Sequence, residues 1–185
     1  MSNKCCLFII LFLGAVIIAG CATATRPIGH ETAYLPLNEG VRDLSFLSSS
    51  EVEILEAVNK TREAGGSLQP LKTSTGLSFA AKERAEELAR SNNQDSMKEE
   101  DLNRLFQRVQ KFGTLKGSVA EIASHGYPGG AVVAELMKNS SATGQQPQPY
   151  FMDAKFTVMG VGCTSAGHPA PICVITLASE FKEAR

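Results

Sequence analysis

The run Phe156-Thr157-Val158-Met159-Gly160-Val161-Gly162-Cys163, followed after a loop by Ile172-Cys173-Val174-Ile175-Thr176-Leu177-Ala178, decides how this chain folds. Both segments are apolar at successive positions rather than alternate ones, the pattern of strands covered on two faces. The covering elements lie upstream. Ser50 with Glu53 reads as a capping box ahead of a helix reaching about Ala64, with Ile54, Leu55 and Val58 as its apolar stripe and Gly65-Gly66 as its stop. A second helix is expected from about Leu77 to Arg90. Leu77, Ala80, Ala81, Ala85 and Leu88 share one face, and Lys82, Glu83, Glu86 and Glu87 fall largely on the other.

A third helix should run from about Asp101 to Phe112, ended by Gly113, and Val119 to Ser124 reads as a short strand. Gly126-Tyr127-Pro128-Gly129-Gly130 then turns the chain into a fourth helix, Ala131 to Lys138, whose Val132, Val133, Leu136 and Met137 face inward. Helices gathered first and strands last give an α+β class of layered architecture.

The amino-terminal end speaks about location. A positive start at Lys4, an apolar core from Leu7 to Ile18 and the sequence Ile18-Ala19-Gly20-Cys21 match an export signal; the core is too short to span a bilayer, which takes about 20 residues. The last four residues resemble a bacterial lipobox. That resemblance implies cleavage before Cys21 and a covalent lipid on it, so the expected divisions are 1–20 signal peptide, 21–49 lipidated end and spacer, and 50–185 globular domain. The spacer reading rests on its Thr, Pro, Gly and Ser content, with only scattered apolar residues such as Leu44 and Phe46. Ala22 after the cysteine resembles the outer-membrane sorting pattern of a host with two membranes; otherwise the outer face of the cell membrane is expected.

Charge narrows the partners. A formal net charge of −1 and the lack of any Lys/Arg run give no electrostatic footprint for nucleic acid and no polybasic membrane patch. After processing, Cys5 and Cys6 leave with the signal and Cys21 carries lipid, so Cys163 and Cys173 remain. In an oxidising compartment they are expected to pair across the hairpin loop. A redox or metal role has little support, since the spacing is not Cys-x-x-Cys and no His cluster accompanies it.

Several of these motifs occur in a familiar order. Asn59-Lys60-Thr61-Arg62, then Leu68 and Leu71, then Leu77, Ala81 and Ala85 resemble the opening of the CAP superfamily, which includes cysteine-rich secretory proteins, antigen 5 proteins and pathogenesis-related proteins. Glu121-Ile122-Ala123-Ser124-His125-Gly126 is similar to that family's Gly-Glu-Asn-Ile-Ala-x-Gly segment, and Phe156 to Gly162 matches the bacterial branch. The resemblance implies an α-β-α sandwich with a central antiparallel sheet and a cleft on one side. In the family that cleft holds a metal on two His residues and carboxylates, a donor set suited to zinc. Here no His occurs between Ser91 and Asp101 or between Asn139 and Tyr150, where the two would fall, and only Glu121 matches. No cofactor other than the lipid on Cys21 is expected, and no metal.

Glu121 and His125 are the remaining catalytic candidates. Four apart on a strand, they point to one face and form an acid-base or metal-binding pair, or else His125 is a polar strand-end residue beside a glycine turn. His168 in the hairpin loop and His30 in the spacer are expected in solvent. Tyr127 and Tyr150 join Glu121 and His125 as candidates to line a binding cleft. The expected function is therefore a membrane-anchored envelope protein that binds a lipid, peptide or glycan without catalysis. The alternatives are a divergent hydrolase or peptidase using Glu121 and His125, and a structural envelope protein.

Overall fold

A computed structural model describes residues 44–66, 68–91, 102–142, 148–167 and 169–184. Cys21, His30, His168 and the middle of the Asn139 to Tyr150 loop lie outside them. The elements in order are α1 (Ser49–Ala64), β1 (Lys72–Thr73), α2 (Thr75–Ser91), α3 (Leu102–Gln110), β2 (Gly113–His125), α4 (Ala131–Ala142), a 3₁₀ turn at Tyr150–Met152, β3 (Val158–Thr164) and β4 (Ile172–Glu183). Among them no helix is long and apolar enough to cross a membrane.

The sheet has strand order β1-β3-β4-β2. Its three long strands are antiparallel, whereas β1 joins β3 in parallel through Lys72 and Thr73, so the sheet is mixed rather than wholly antiparallel. The two terminal runs are β3 and β4; every residue from Val158 to Cys163 and from Ile172 to Ala178 is buried, and β4 becomes partly exposed from Ser179 onward. One face carries Met159, Val161, Cys163, Cys173, Ile175 and Leu177 against Ile54, Leu55 and Val58 of α1 and Val132 and Val133 of α4. The opposite face carries Val158, Ala178, Ile172 and Val174 against α2 and α3. Helices on both faces make the expected α-β-α sandwich.

Three boundaries differ from the sequence reading. Helix α1 starts two residues early because Ser48, not Ser50, is the N-cap: Ser48 Oγ accepts the Glu51 N–H at 3.3 Å and Glu51 accepts the Ser48 N–H at 2.7 Å. Both Ser48-x-x-Glu51 and Ser50-x-x-Glu53 fit the capping pattern. Glu51 has a second task that favours it, since its other oxygen accepts the buried N–H of Cys163 at 2.7 Å. Leu44 and Leu47, read as part of the spacer, pack against the core of the domain. Strand β2 is far longer than Val119 to Ser124, because a bulge between Lys116 and Val119, with Gly117 at φ +83°, lets it continue pairing with β4.

The Asn59-x-x-Arg62 motif ties α1 to the loops beneath it. Asn59 mimics a peptide group: its amide nitrogen donates to the Leu71 carbonyl at 3.1 Å and its oxygen accepts the Leu71 N–H at 2.8 Å. Arg62, only 2% exposed, donates to the carbonyls of Gln69 (2.8 Å), Phe151 and Asp153 (3.2 Å). Burial holds its pKa below the ordinary guanidinium value, with Asp153 acting in the opposite direction.

Helix α2 lies directly on β3, which is why Gly160 and Gly162 interrupt an otherwise large-residue strand. A Cβ at Gly160 would sit 2.1 Å from the Ser78 nitrogen, and one at Gly162 would sit 2.2 Å from the Lys82 nitrogen.

Candidate functional site

Glu121 comes from β2, where its register partner on β4 is Thr176, so both side chains face α2 and α3. From α2 comes Arg84, on the same apolar stripe as Ala81, Ala85 and Leu88, and from α3 comes Arg108, on the buried side with Leu105 and Val109. These side chains meet under cover: Glu121 is 8% exposed and each arginine 7%. One oxygen of Glu121 accepts Arg108 Nη2 at 2.8 Å and lies 3.7 Å from Arg84 Nε. The other accepts the Thr176 hydroxyl at 2.9 Å.

The network continues outward. Glu87 pairs with Arg84 at 3.1 Å, with Arg108 at 3.6 Å and with Arg104 at the surface. Past it, an open groove of about 510 Å³ between α2 and α3 is lined by charged side chains that include Glu87 and Arg108 but not Glu121.

This arrangement answers whether the family's cleft metal fits. A divalent cation at Glu121 would face two guanidinium groups within 4 Å of the same carboxylate and would have to displace them. The residues present do not fit the metal. Among the described residues no group of three or more His, Cys, Asp and Glu side chains is placed to hold one.

The structure does not bring Glu121 and His125 together as a pair. Four residues of regular strand separate their α-carbons by about 13 Å, so a shared face is not a contact. Ala123 lies between them, and His125 is exposed at the strand end opposite Ile172. Tyr127 follows the same end of β2, where the Gly126 N–H donates to the Pro171 carbonyl. Tyr150 stands edge-on to Phe156 at 6.4 Å, and Phe156 belongs to the α1 face of the sandwich. The four cleft candidates therefore lie at different ends and on different faces.

Cys163 and Cys173 form a disulfide, as expected, from directly opposed positions on β3 and β4. Arg84, Arg108 and Thr176 are residues of this candidate site that sequence reasoning missed, and Glu87 was read only as part of the outer face of α2. The signal was available: an arginine in the apolar stripe of each of two helices calls for a buried acid, and Glu121 is the acid in an otherwise weakly polar strand.

A search of curated proteins finds none that matches the sequence. Solved structures do share the fold. A cysteine-rich secretory protein from Staphylococcus aureus aligns over 76% of this chain and 42% of its own, at 17% identity and TM-score 0.50, so this chain spans under half of that protein. An outer surface protein from Borrelia burgdorferi aligns over 70% of this chain and 90% of its own, at 17% identity and TM-score 0.53. Venom allergen-like protein 4 from Schistosoma mansoni aligns over 74% and 92%, at 16% identity and TM-score 0.53. The model of the cysteine-rich secretory protein family, CAP, matches residues 55–175, spanning α1 to β4 and including Glu121 and both disulfide cysteines. With that match across most of the sandwich, the chain belongs to the CAP family.

Proposed function

We propose that this chain is an exported lipoprotein, acylated on Cys21, whose CAP domain is a non-catalytic binding module for an envelope lipid, peptide or glycan. The lipobox at Ile18 to Cys21 supports the anchor. The observation that carries the non-catalytic reading is the closure of Glu121 by Arg108, Arg84 and Thr176. A general base or a metal ligand needs an oxygen open to a proton, a water or an ion. Both oxygens of Glu121 are already engaged by the chain's own donors.

The test has two arms. Cells expressing the full chain and given labelled palmitate should label it, and Cys21→Ser should abolish the label. The lipidated protein is then cross-linked in its own membranes, purified, and compared with Tyr127→Ala and Tyr150→Ala, which alter exposed aromatic side chains. Loss of a defined cross-linked ligand in either variant supports a binding module. Turnover of envelope peptide, glycan or lipid-ester substrates that disappears in His125→Ala overturns it in favour of the hydrolase.

A further inference from the structure

Phe46, Phe79 and Phe112 form a ladder across the outer face of α2, with ring centroids 5.6 Å and 5.8 Å apart at tilted angles. Phe46 is 38% exposed and Phe79 46% exposed, so the ladder is open to its surroundings. Phe79 sits on α2 between the buried residues Ser78 and Ala80, at an outward position where a polar residue is the ordinary choice. Just under half of this large apolar ring is left uncovered.

A second observation gives the ladder an occupant. The described chain begins at Leu44, and Leu44 and Leu47 are packed against the domain on either side of Phe46. The segment arriving from Cys21 thus joins the domain at the ladder itself. Residues 22–43, read as a spacer, number 22, so an anchor at Cys21 keeps the domain within about 75 Å of the bilayer even at full extension. Such a tether limits the distance and leaves the orientation open.

We infer that Phe46 and Phe79 rest on the surface of the bilayer in which Cys21 is anchored, turning the α2 face toward the lipid. Aromatic and aliphatic side chains on one face of an element settle at the boundary between headgroups and acyl chains. The inference rests on the lipoprotein reading: the lipid limits the distance and the two rings fix the orientation. The turn at Tyr127, at the end of β2 next to the hairpin loop, stays away from the membrane.

The chain contains no Trp, so a single introduced indole reports its own surroundings. Phe79→Trp and Tyr127→Trp are expressed in the full chain, checked by mass spectrometry for the acyl group on Cys21, and reconstituted in phosphatidylethanolamine and phosphatidylglycerol vesicles with brominated acyl chains. The expected result is emission at shorter wavelength and strong quenching for Phe79→Trp, with neither for Tyr127→Trp. Phe46→Trp should behave as Phe79→Trp does and serves if one variant fails to fold by circular dichroism. Equal quenching at the two positions, or none at position 79 in acylated protein, overturns the inference. So does Phe79→Trp emission that is already at short wavelength in a Cys21→Ser background without vesicles and does not change on adding them, since the ladder is then covered by protein. An absent acyl group refutes the lipoprotein reading instead and is read independently, before any fluorescence.

Discussion

Removing the charge of Glu121 should unbalance the centre of the α2–α3–β2 layer, and the size of the effect follows from its partners. In Glu121→Ala, Arg108 Nη2 loses an acceptor at 2.8 Å, Thr176 loses one at 2.9 Å, and two largely buried guanidinium groups lose their most buried counter-charge and lean on Glu87, 32% exposed. Truncating one member of a buried charged pair costs about 3–5 kcal/mol. Glu121→Gln keeps an oxygen for Thr176 and should cost less, about 2–3 kcal/mol, the scale of a lost hydrogen bond to a charged group. Urea unfolding followed by circular dichroism reads the difference as a lower midpoint, on the order of 2 M for the alanine variant, at unchanged slope. A cycle with Arg108→Met should give a coupling of about 1–3 kcal/mol, as expected of residues in one network. Repeating the wild-type unfolding with added zinc separates the two roles of Glu121. A metal site would gain about 2.7 kcal/mol at a hundred times its Kd, whereas a carboxylate closed by arginines gains nothing. A loss below about 1 kcal/mol in Glu121→Ala, or zinc stabilisation that Glu121→Ala removes, would refute this account.

Three further outcomes are expected. Gly160→Ala pushes a methyl group against the backbone of α2, 2.1 Å from the Ser78 nitrogen, and should cost about 2–3 kcal/mol, while Gly130→Ala, whose nearest contact is 3.5 Å, should change stability by less than about 1 kcal/mol in the same unfolding assay. Reducing the Cys163–Cys173 bridge frees a loop with sequence separation 10 and should lower stability by up to about 2.8 kcal/mol, measured with and without reductant and matched by Cys163→Ala/Cys173→Ala. Asp153 has its pKa lowered, first by the backbone hydrogen bond from Lys155, so its contribution is present above the unfolded carboxylate pKa of about 3.9 and fades as pH falls through the folded value. Its side chain is 42% exposed, so the deficit of Asp153→Asn should stay below about 1 kcal/mol near neutrality and close below about pH 4 in a pH series of melts.

The layers were legible because burial on both faces leaves a plain mark: between Val158 and Cys163 and between Ile172 and Ala178 the one hydroxyl or charged side chain is Thr176, and the covering helices carry apolar stripes. The parallel partner β1 was not, since two residues, Lys72 and Thr73, carry no period. Nor was the full length of β2, because the bulge at Gly117 breaks the alternation that a strand is recognised by. At the site, Glu121 was singled out from the family motif, but its partners come from three other elements, α2, α3 and β4, and are invisible to any local pattern. Pairing Glu121 with His125 failed on rise: period two gives a shared face, and the distance along the strand then separates the residues. Arg84 was passed over altogether, although its helical position among Ala81, Ala85 and Leu88 places it inside.

Strand β3 is paired along only its first two residues by β1, and the rest of that edge is finished by side chains: Ser78 Oγ accepts the Val161 N–H at 3.2 Å, Glu51 accepts the Cys163 N–H, and Lys82 donates to the Cys163 carbonyl. The groups that would recruit another strand are thereby occupied from within the domain. At the opposite border of the sheet, the bulge and the exposed Lys116 interrupt β2. A protein proposed to be held on a surface meets its own copies far more often than one free in solution. Two guarded borders let such copies crowd together without zipping into a continuous sheet.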